Sequence, residues 1–270
     1  MRIAYFDCFS GISGDMILGA LVDAGLDFDQ LRNELSKLPV SGFRLERRTV
    51  RKHEIVGTKI DVIVQSQDGH DYVEKPGDDI GAVGMPDHHE AHHPHNHEQG
   101  DTRHLSDLTD IINASSLDAS IRRRSCDIFE QLASAEARMH GVPKEEVHLH
   151  EVSGLDAVVD IVGSCIALRL MEIDKVYFSA LPLGSGFIRC AHGRLPVPAP
   201  GALELLRGVP VYQTETRGEL VTPTGAAIVK ETATGYGVMP RMVLYQIGYG
   251  AGTKDFEEHP NLLRVCLGVR

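Results

Sequence analysis

The sequence predicts an α/β fold, or an α+β variant of it, in which a layered mixed sheet packs against helices. Segments with strand-type alternation are interleaved with segments whose apolar residues recur at helical spacing. Hydrophobic residues make up 42% of the 270 positions and charged residues 24%, the balance of a globular protein. One polar segment interrupts this pattern. We therefore divide the chain into an α/β segment (1–65), a disordered His-rich insertion (66–104) and a second α/β segment (105–270) that continues the same domain.

The first segment is predicted to contain two helices and three strands. Apolar residues recur at helical spacing over 16–24, after a glycine-rich turn, and Gly25 ends this helix. The second helix starts at Asp27, which is a capping residue with Gln30 three positions later. In the last strand, apolar residues alternate with charged or exposed-type residues. The predicted strands are 2–6, 43–51 and 55–65.

The second segment repeats the alternation of helices and strands. Residues 117–140 carry one apolar face and stop at Gly141, two positions before Pro143. Residues 155–171 are apolar on most sides, which indicates a buried helix. Further helices are predicted at 105–114, 199–206 and 222–234, and strands at 175–179, 209–212, 242–247 and 262–269.

The insertion is almost free of large apolar residues between Ser66 and Arg103. It cannot bury enough surface to offset an ordering cost of about 1–2 kcal/mol per residue, which predicts a mobile surface segment. Half of the 14 histidines of the chain lie within the seventeen positions 88–104: His88, His89, His92, His93, His95, His97 and His104. Imidazole suits nickel, zinc and copper, so the tract predicts metal capture or storage. A tolerated polar insertion is the alternative interpretation.

Composition excludes several classes of function. The formal charge of −11 argues against a nucleic-acid or anionic-membrane partner. The longest uncharged stretch, 176–188, is shorter than the ~18–20 residues that a membrane span needs. The five cysteines form no C-x-x-C pair, as expected in a reducing compartment. We expect a cytoplasmic protein without nucleic-acid or membrane partners.

The glycine-rich turn is the first candidate site. A strand that turns through glycines into a helix N-terminus presents backbone N–H groups and a positive dipole end, which attract phosphate. The candidate phosphate-binding residues are Ser10, Gly11, Ser13, Gly14 and Asp15, and Asp7 with Asp15 could hold a divalent cation. Neither a Walker loop nor a G-x-G-x-x-G pattern is present. A tight turn with a capping side chain is the alternative.

The second candidate is a group of histidines and carboxylates near residue 150. His148 and His150 are two positions apart and face the same way on an extended segment. Asp156 and Asp160 share one face of an otherwise apolar helix, where burial is costly unless they meet a cation or a donor. With Glu151 they predict a metal site with open positions. The alternative is a charged helix N-terminus with His148 on the surface.

Two further segments could bind an anion. Gly and Pro are dense over 183–200, which predicts a rigid loop. On this loop Arg189 and Arg194 could bind an anion, and His192 could act as a metal ligand or a proton carrier. Thr222 is placed as the N-cap of a helix, where capping alone explains it equally well.

Taken together, these motifs resemble the LarC family of nickel-insertion proteins. The resemblance covers nearly the whole chain, and its motifs occur in the same order as in the family. They are the segment 6–16, the His-rich insertion, 147–152 with Asp156 and Asp160, 191–200 and 219–226, followed by 248–253 and 260–264.

The resemblance implies the insertion of Ni(II) into pyridinium-3,5-bisthiocarboxylic acid mononucleotide, with formation of one carbon–nickel and two sulfur–nickel bonds. It implies CTP hydrolysis with Mn(II) or Mg(II), and lactate racemase as the recipient of the nickel pincer cofactor. Family members are longer and carry their nucleotide site in a C-terminal domain. The resemblance therefore implies a C-terminal half, either a separate chain or a frameshift fusion, as the partner. A homo-oligomer is also expected.

Assigned to this reaction, His148, His150, Glu151 and His192 are the candidate catalytic residues. Two other functions stay open. The first is a nickel-binding metallochaperone or storage protein without catalysis. The second is a metal-dependent phosphohydrolase that uses the carboxylates of Asp7, Asp15, Asp156 and Asp160.

Overall fold

The structure, a computed structural model, describes residues 1–65, 71–73, 104–147, 149, 154–190 and 193–270. Its helices are α1 (Gly14–Asp23), α2 (Phe28–Leu35), α3 (Leu105–Ala114), α4 (Ala119–His140), α5 (Leu155–Leu170), α6 (Pro200–Leu205) and α7 (Pro223–Thr232), with a 3-10 turn at Lys144–Glu146. Its strands are β1 (Arg2–Asp7), β2 (Phe43–Lys52), β3 (Ile55–Gln65), β4 (Asp71–Val73), β5 (Lys175–Phe178), β6 (Leu181–Ser185), β7 (Phe187–Cys190), β8 (Gly193–Pro196), β9 (Val211–Arg217), β10 (Gly235–Tyr236), β11 (Val243–Ala251) and β12 (Leu262–Val269).

One mixed sheet forms the centre of the fold, which confirms the predicted α/β class. Its strand order is β10-β5-β1-β12-β11-β3-β2, and β4 pairs with β3. Strand β1 runs parallel to β5 and antiparallel to β12. Strands that precede and follow the insertion therefore share this sheet.

Helices α1 and α5 form the layer that positions the candidate site. Helix α1 packs against β11, β3 and α5, at backbone contact with β11: a Cβ on Gly250 would stand 1.8 Å from the Met16 carbonyl oxygen. Helix α5 is buried over most of its length, including Val158, Val159 and Ile161, as predicted. The N-terminal ends of α1 and α5 consequently lie close together.

Several predictions fail at strands. The predicted rigid loop 183–200 contains the end of β6 and a β7–β8 hairpin in which Ile188 pairs with Leu195. The dense Gly and Pro led us to expect a loop, but Pro196 ends its strand, where a missing N–H costs little. Strand β11 continues to Ala251 rather than ending at 247, because it pairs with β12 as far as Ala251. Its glycines in this part allow α1 to approach.

The prediction of disorder over 66–104 is wrong at two points. Strand β4 pairs with β3, and the His104 backbone N–H donates to the Asp107 carboxylate (2.9 Å) at the start of α3. The remainder of that insertion lies outside the described residues. No helix in the described part of the chain is long and apolar enough to cross a membrane.

Candidate functional site

The glycine-rich turn between β1 and α1 uses several of its backbone amides within the fold. The Ile12 N–H donates to the Leu220 carbonyl oxygen (2.8 Å), and the Gly11 N–H bonds within the turn (3.0 Å). The Asp15 N–H faces the carboxylate of Asp160 and stabilises its charge. The positive end of α1 is therefore met by a carboxylate from α5.

Close packing explains the glycines of this turn. A Cβ on Gly14 would stand 2.5 Å from the Oδ2 atom of Asp160, and one on Gly11 would stand 2.0 Å from the Leu220 carbonyl oxygen. Gly11 also has a φ of +99°, a conformation that favours glycine. These positions are required by the fold, and phosphate binding by Ser10, Gly11, Ser13, Gly14 and Asp15 stays a prediction.

A buried lysine lies beside this turn. Lys59 of β3 is 6% exposed, and its Nζ atom contacts Asp15 Oδ2 and lies 3.5 Å from Asp61 Oδ1. Burial lowers the pKa of Lys59, but Asp15, Asp61 and Asp160 raise it above its ordinary value. Asp61 also accepts a hydrogen bond from Arg48 Nε (2.8 Å). The lysine is therefore held in its charged form among carboxylates.

Asp160 is the most perturbed member of this cluster. Its Oδ1 atom is shielded from solvent and has no hydrogen-bond partner among the described residues. Burial raises the pKa of Asp160 well above its ordinary value, and the charges of Asp15 and Asp156 raise it further, while Lys59 opposes them. The predicted proximity of Asp156 and Asp160 is confirmed by this interaction. One carboxylate oxygen here is available to a ligand, a proton or a cation.

A second polar group surrounds the start of the same turn. Asp7 contacts the Nη2 atom of Arg264, and Ser10 Oγ is hydrogen-bonded to His259 Nδ1 (2.8 Å). The other ring nitrogen of His259 is bonded to Thr216 Oγ1 (3.0 Å). Asp7 therefore pairs with an arginine, whereas Asp15 pairs with Lys59.

Lys59, His259 and Arg264 are site residues that the local sequence pattern does not indicate. The alternation in β3 led us to expect Lys59 and Asp61 to be exposed, but both are buried. A polar residue inside an apolar strand was the available signal for Lys59, and also for Arg264 in β12. For His259 the sequence offers none, because it is a single histidine in a polar loop.

The other candidate residues fall into two groups. Arg189 and Arg194 face each other across the β7–β8 hairpin and are exposed. Thr222 accepts a hydrogen bond from the Gly225 N–H (3.1 Å), which confirms its capping role. The candidates that lie outside the described residues are His88, His89, His92, His93, His95, His97, His148, His150, Glu151 and His192. Within the described ranges no three His, Cys, Asp or Glu side chains are arranged to hold a metal ion.

Comparison with known proteins gives consistent matches. The model of the family described as nickel insertion protein matches residues 4–270. A relative from Geobacillus kaustophilus, named pyridinium-3,5-bisthiocarboxylic acid mononucleotide nickel insertion protein, is 47% identical over 99% of this chain and 60% of its own length. A relative of the same name from Desulfitobacterium hafniense (strain DSM 10664 / DCB-2) is 44% identical over 99% of this chain and 58% of its own length. The chain thus spans about three fifths of these relatives. No solved structure matches it.

Proposed function

Because this chain belongs to the nickel insertion protein family, we propose that it acts in placing Ni(II) into pyridinium-3,5-bisthiocarboxylic acid mononucleotide. Two relatives carry this activity in their names. Since those relatives are longer, the proposal includes a partner that supplies the additional length, a C-terminal half. The same proposal includes CTP with Mn(II) or Mg(II), and lactate racemase as the recipient of the cofactor. It also includes a homo-oligomeric state and a cytoplasmic location.

The unpartnered Oδ1 atom of Asp160 is the observation that best supports a role for this chain in handling the metal. A shielded carboxylate oxygen without a donor is costly unless a ligand or a proton occupies it. Carboxylate and imidazole are both ligands for divalent transition metals. In the proposed site, Asp156 and Asp160 act with His148, His150 and Glu151 to hold substrate nickel.

Lys59 gives this site an electrostatic role. Its charge compensates the carboxylates of Asp15 and Asp61, so that Asp160 is left as the carboxylate with a free oxygen. A site of this kind binds a cation weakly enough to release it, because one lysine already offsets part of the negative charge. Weak binding is appropriate here, because the nickel ion must be transferred to the sulfur and carbon atoms of the substrate.

Nickel insertion by the purified chain tests the proposal. The chain is incubated with the dithiocarboxylated mononucleotide, Ni(II), CTP and Mn(II), and activation of metal-free lactate racemase is read. Activity of the chain alone, or activity restored by the C-terminal half, supports the proposal. No activity under either condition contradicts it.

Two variants connect the assay to the site. Asp160→Asn keeps the size of the side chain and is expected to reduce insertion at least tenfold without lowering thermal stability. Asp23→Asn is the control, since both of its oxygens already accept hydrogen bonds, from Thr58 Oγ1 (2.9 Å) and the Tyr249 N–H (2.8 Å). Equal activity of the two variants would show that Asp160 is not part of the site.

Nickel storage without catalysis is the second candidate, favoured by the seven histidines of 88–104. The two functions differ in the effect of replacing His148 and His150 by Ala. Insertion predicts loss of activity with this double variant, whereas storage predicts almost unchanged total nickel binding and no activity in the unmodified chain.

A further inference from the structure

A groove lined by arginines lies at the other end of α5 from Asp160. It has a volume of about 300 Å³ and is bounded by Arg123 and Arg124 of α4 and by Arg169 in the last turn of α5. Arg169 lies nine positions after Asp160, about 13 Å along a helix axis, and Asp160 is not among the residues that line the groove. The groove is therefore distinct from the candidate site described above.

The three guanidinium groups have no ion-pair partner within 4 Å among the described residues. Elsewhere in the structure, arginines close to a carboxylate contact it directly: Arg138 and Arg207 both bind Glu204, at 2.7 and 2.8 Å. The groove contains two carboxylates, Asp127 and Glu231, yet neither pairs with an arginine at such a distance. Its positive charges are consequently left available to an added anion.

The floor of the groove includes an uncharged thiol, and one of its two carboxylates, Glu231, is held by a hydrogen bond. Burial raises the pKa of the Cys165 thiol to about 11, so this side chain is uncharged near neutral pH. Glu231 accepts a hydrogen bond from Gln131 Nε2 (2.6 Å), which fixes one of its oxygens. Burial and Asp127 raise the pKa of Glu231, while the charge of Arg124 and the hydrogen bond from Gln131 oppose them. Three cations and two acceptors thus surround one small cavity.

This arrangement fits a phosphorylated sugar better than a simple anion. Guanidinium groups bind phosphate oxygens through paired, charge-assisted hydrogen bonds. The Asp127 and Glu231 carboxylates repel a bare anion but accept hydrogen bonds from ribose hydroxyls. A cavity of this volume is at the lower end of the range for small-molecule sites.

We infer that this groove is a nucleotide-binding site in which Arg123, Arg124 and Arg169 hold the phosphate and Asp127 and Glu231 accept hydrogen bonds from the sugar. The site requires no nickel, so nucleotide binding in the groove can be measured, and can be shown to be absent, without the insertion reaction. Nucleotide bound here contacts α4, α5 and α7 together, at the ends of the helices that pack behind the candidate site.

Titration calorimetry with the purified chain tests this inference. Inorganic phosphate, nicotinamide mononucleotide and CTP are titrated separately, so that a monophosphate and a triphosphate are distinguished. Arg124→Gln and Arg169→Gln are each expected to weaken nucleotide binding by about tenfold. Arg241→Gln is the control, because Arg241 is exposed and lies outside the groove.

Saturable binding of either nucleotide, weakened by both groove variants and unchanged by the control, supports the site and identifies the preferred phosphate chain. Nucleotide binding that all three variants leave unchanged overturns it, and so does the absence of saturable heat with every probe. Inorganic phosphate bound as tightly as the nucleotides overturns the assignment of Asp127 and Glu231 to the sugar.

Discussion

Asp160 of α5 lies so close to Gly14 of α1 that a Cβ on Gly14 would stand 2.5 Å from the Asp160 Cβ atom. The two helices therefore meet at a glycine and a carboxylate, with no side chain between them. Because the turn before α1 begins next to this contact, a change in Gly14 moves both the turn and the carboxylate. The geometry of the candidate site therefore depends on Gly14.

Gly14→Ala is expected to destabilise the fold by about 1–3 kcal/mol, since the new methyl group must displace Asp160 or shift α1. Urea unfolding followed by circular dichroism measures the effect. Gly163→Ala on α5 is the control, because its Cβ would meet only the ends of two flexible side chains, Leu18 at 3.2 Å and Leu35 at 3.7 Å, and the alanine gains about 1 kcal/mol of helix propensity. Equal destabilisation of the two variants would contradict the contact.

Lys59→Met is expected to destabilise the fold by about 3–5 kcal/mol, because it leaves Asp15 and the buried Asp160 without their cation, whereas Asp61 keeps Arg48. The loss should shrink as the pH falls, since the pKa of Asp160 is raised and its protonation removes one of the carboxylate charges that Lys59 compensates. Lys37→Met is the comparison: its partner Glu34 lies in an exposed pair, worth less than about 0.5 kcal/mol. A pH-independent loss would show that packing, rather than charge, is responsible.

The raised pKa of Asp160 gives folding stability a predictable dependence on pH. A carboxyl group whose folded pKa exceeds its unfolded value, about 3.9, binds more protons in the folded state. Its contribution to stability is complete below the unfolded pKa and is lost as the pH rises through the folded pKa. Asp160→Asn removes this loss, so the variant should gain stability relative to the original chain as the pH rises above the unfolded pKa of about 3.9.

Asp118→Asn provides a control of opposite sign. Hydrogen bonds from Ser120 lower the pKa of Asp118, so its contribution is present above the unfolded pKa and is lost as the pH falls through the lowered folded pKa. The Asp118→Asn variant should therefore differ from the original chain at neutral pH and approach it in acid. Parallel pH curves for the Asp160→Asn variant and the original chain would contradict the raised pKa.

The sequence was sufficient for the helices and for six of the eight strands of the central sheet, because their apolar spacing is a local property; it missed the short strands β4 and β10. It was insufficient for β7 and β8, where pairing between neighbouring segments outweighs the turn preference of Gly and Pro. Local pattern also placed Lys59 on an exposed face. Its burial depends on Asp15, 44 positions earlier, and on helices that cover the strand.

Only the part of the candidate site that depends on local spacing could be predicted from the sequence. Asp156 and Asp160 are one helical turn apart, so their proximity could be read from spacing. The Ser10–His259 hydrogen bond joins residues 249 positions apart, and no local pattern reports it. The pairing of Asp7 with Arg264 likewise depends on the register of β1 and β12.

Deletion of residues 87–98 tests the histidine tract, since it removes six of the seven clustered histidines. Fewer nickel ions should bind per chain in equilibrium dialysis at pH 7.5, while the unfolding temperature stays unchanged. Nickel bound by the original chain should also fall at pH 5.5, because protons compete for imidazole nitrogens below a pKa of about 6.5. The matched control is deletion of residues 74–85, which has the same length and contains no histidine. If both deletions lower nickel binding equally, the segment acts through its charge or length, and imidazole ligation is wrong.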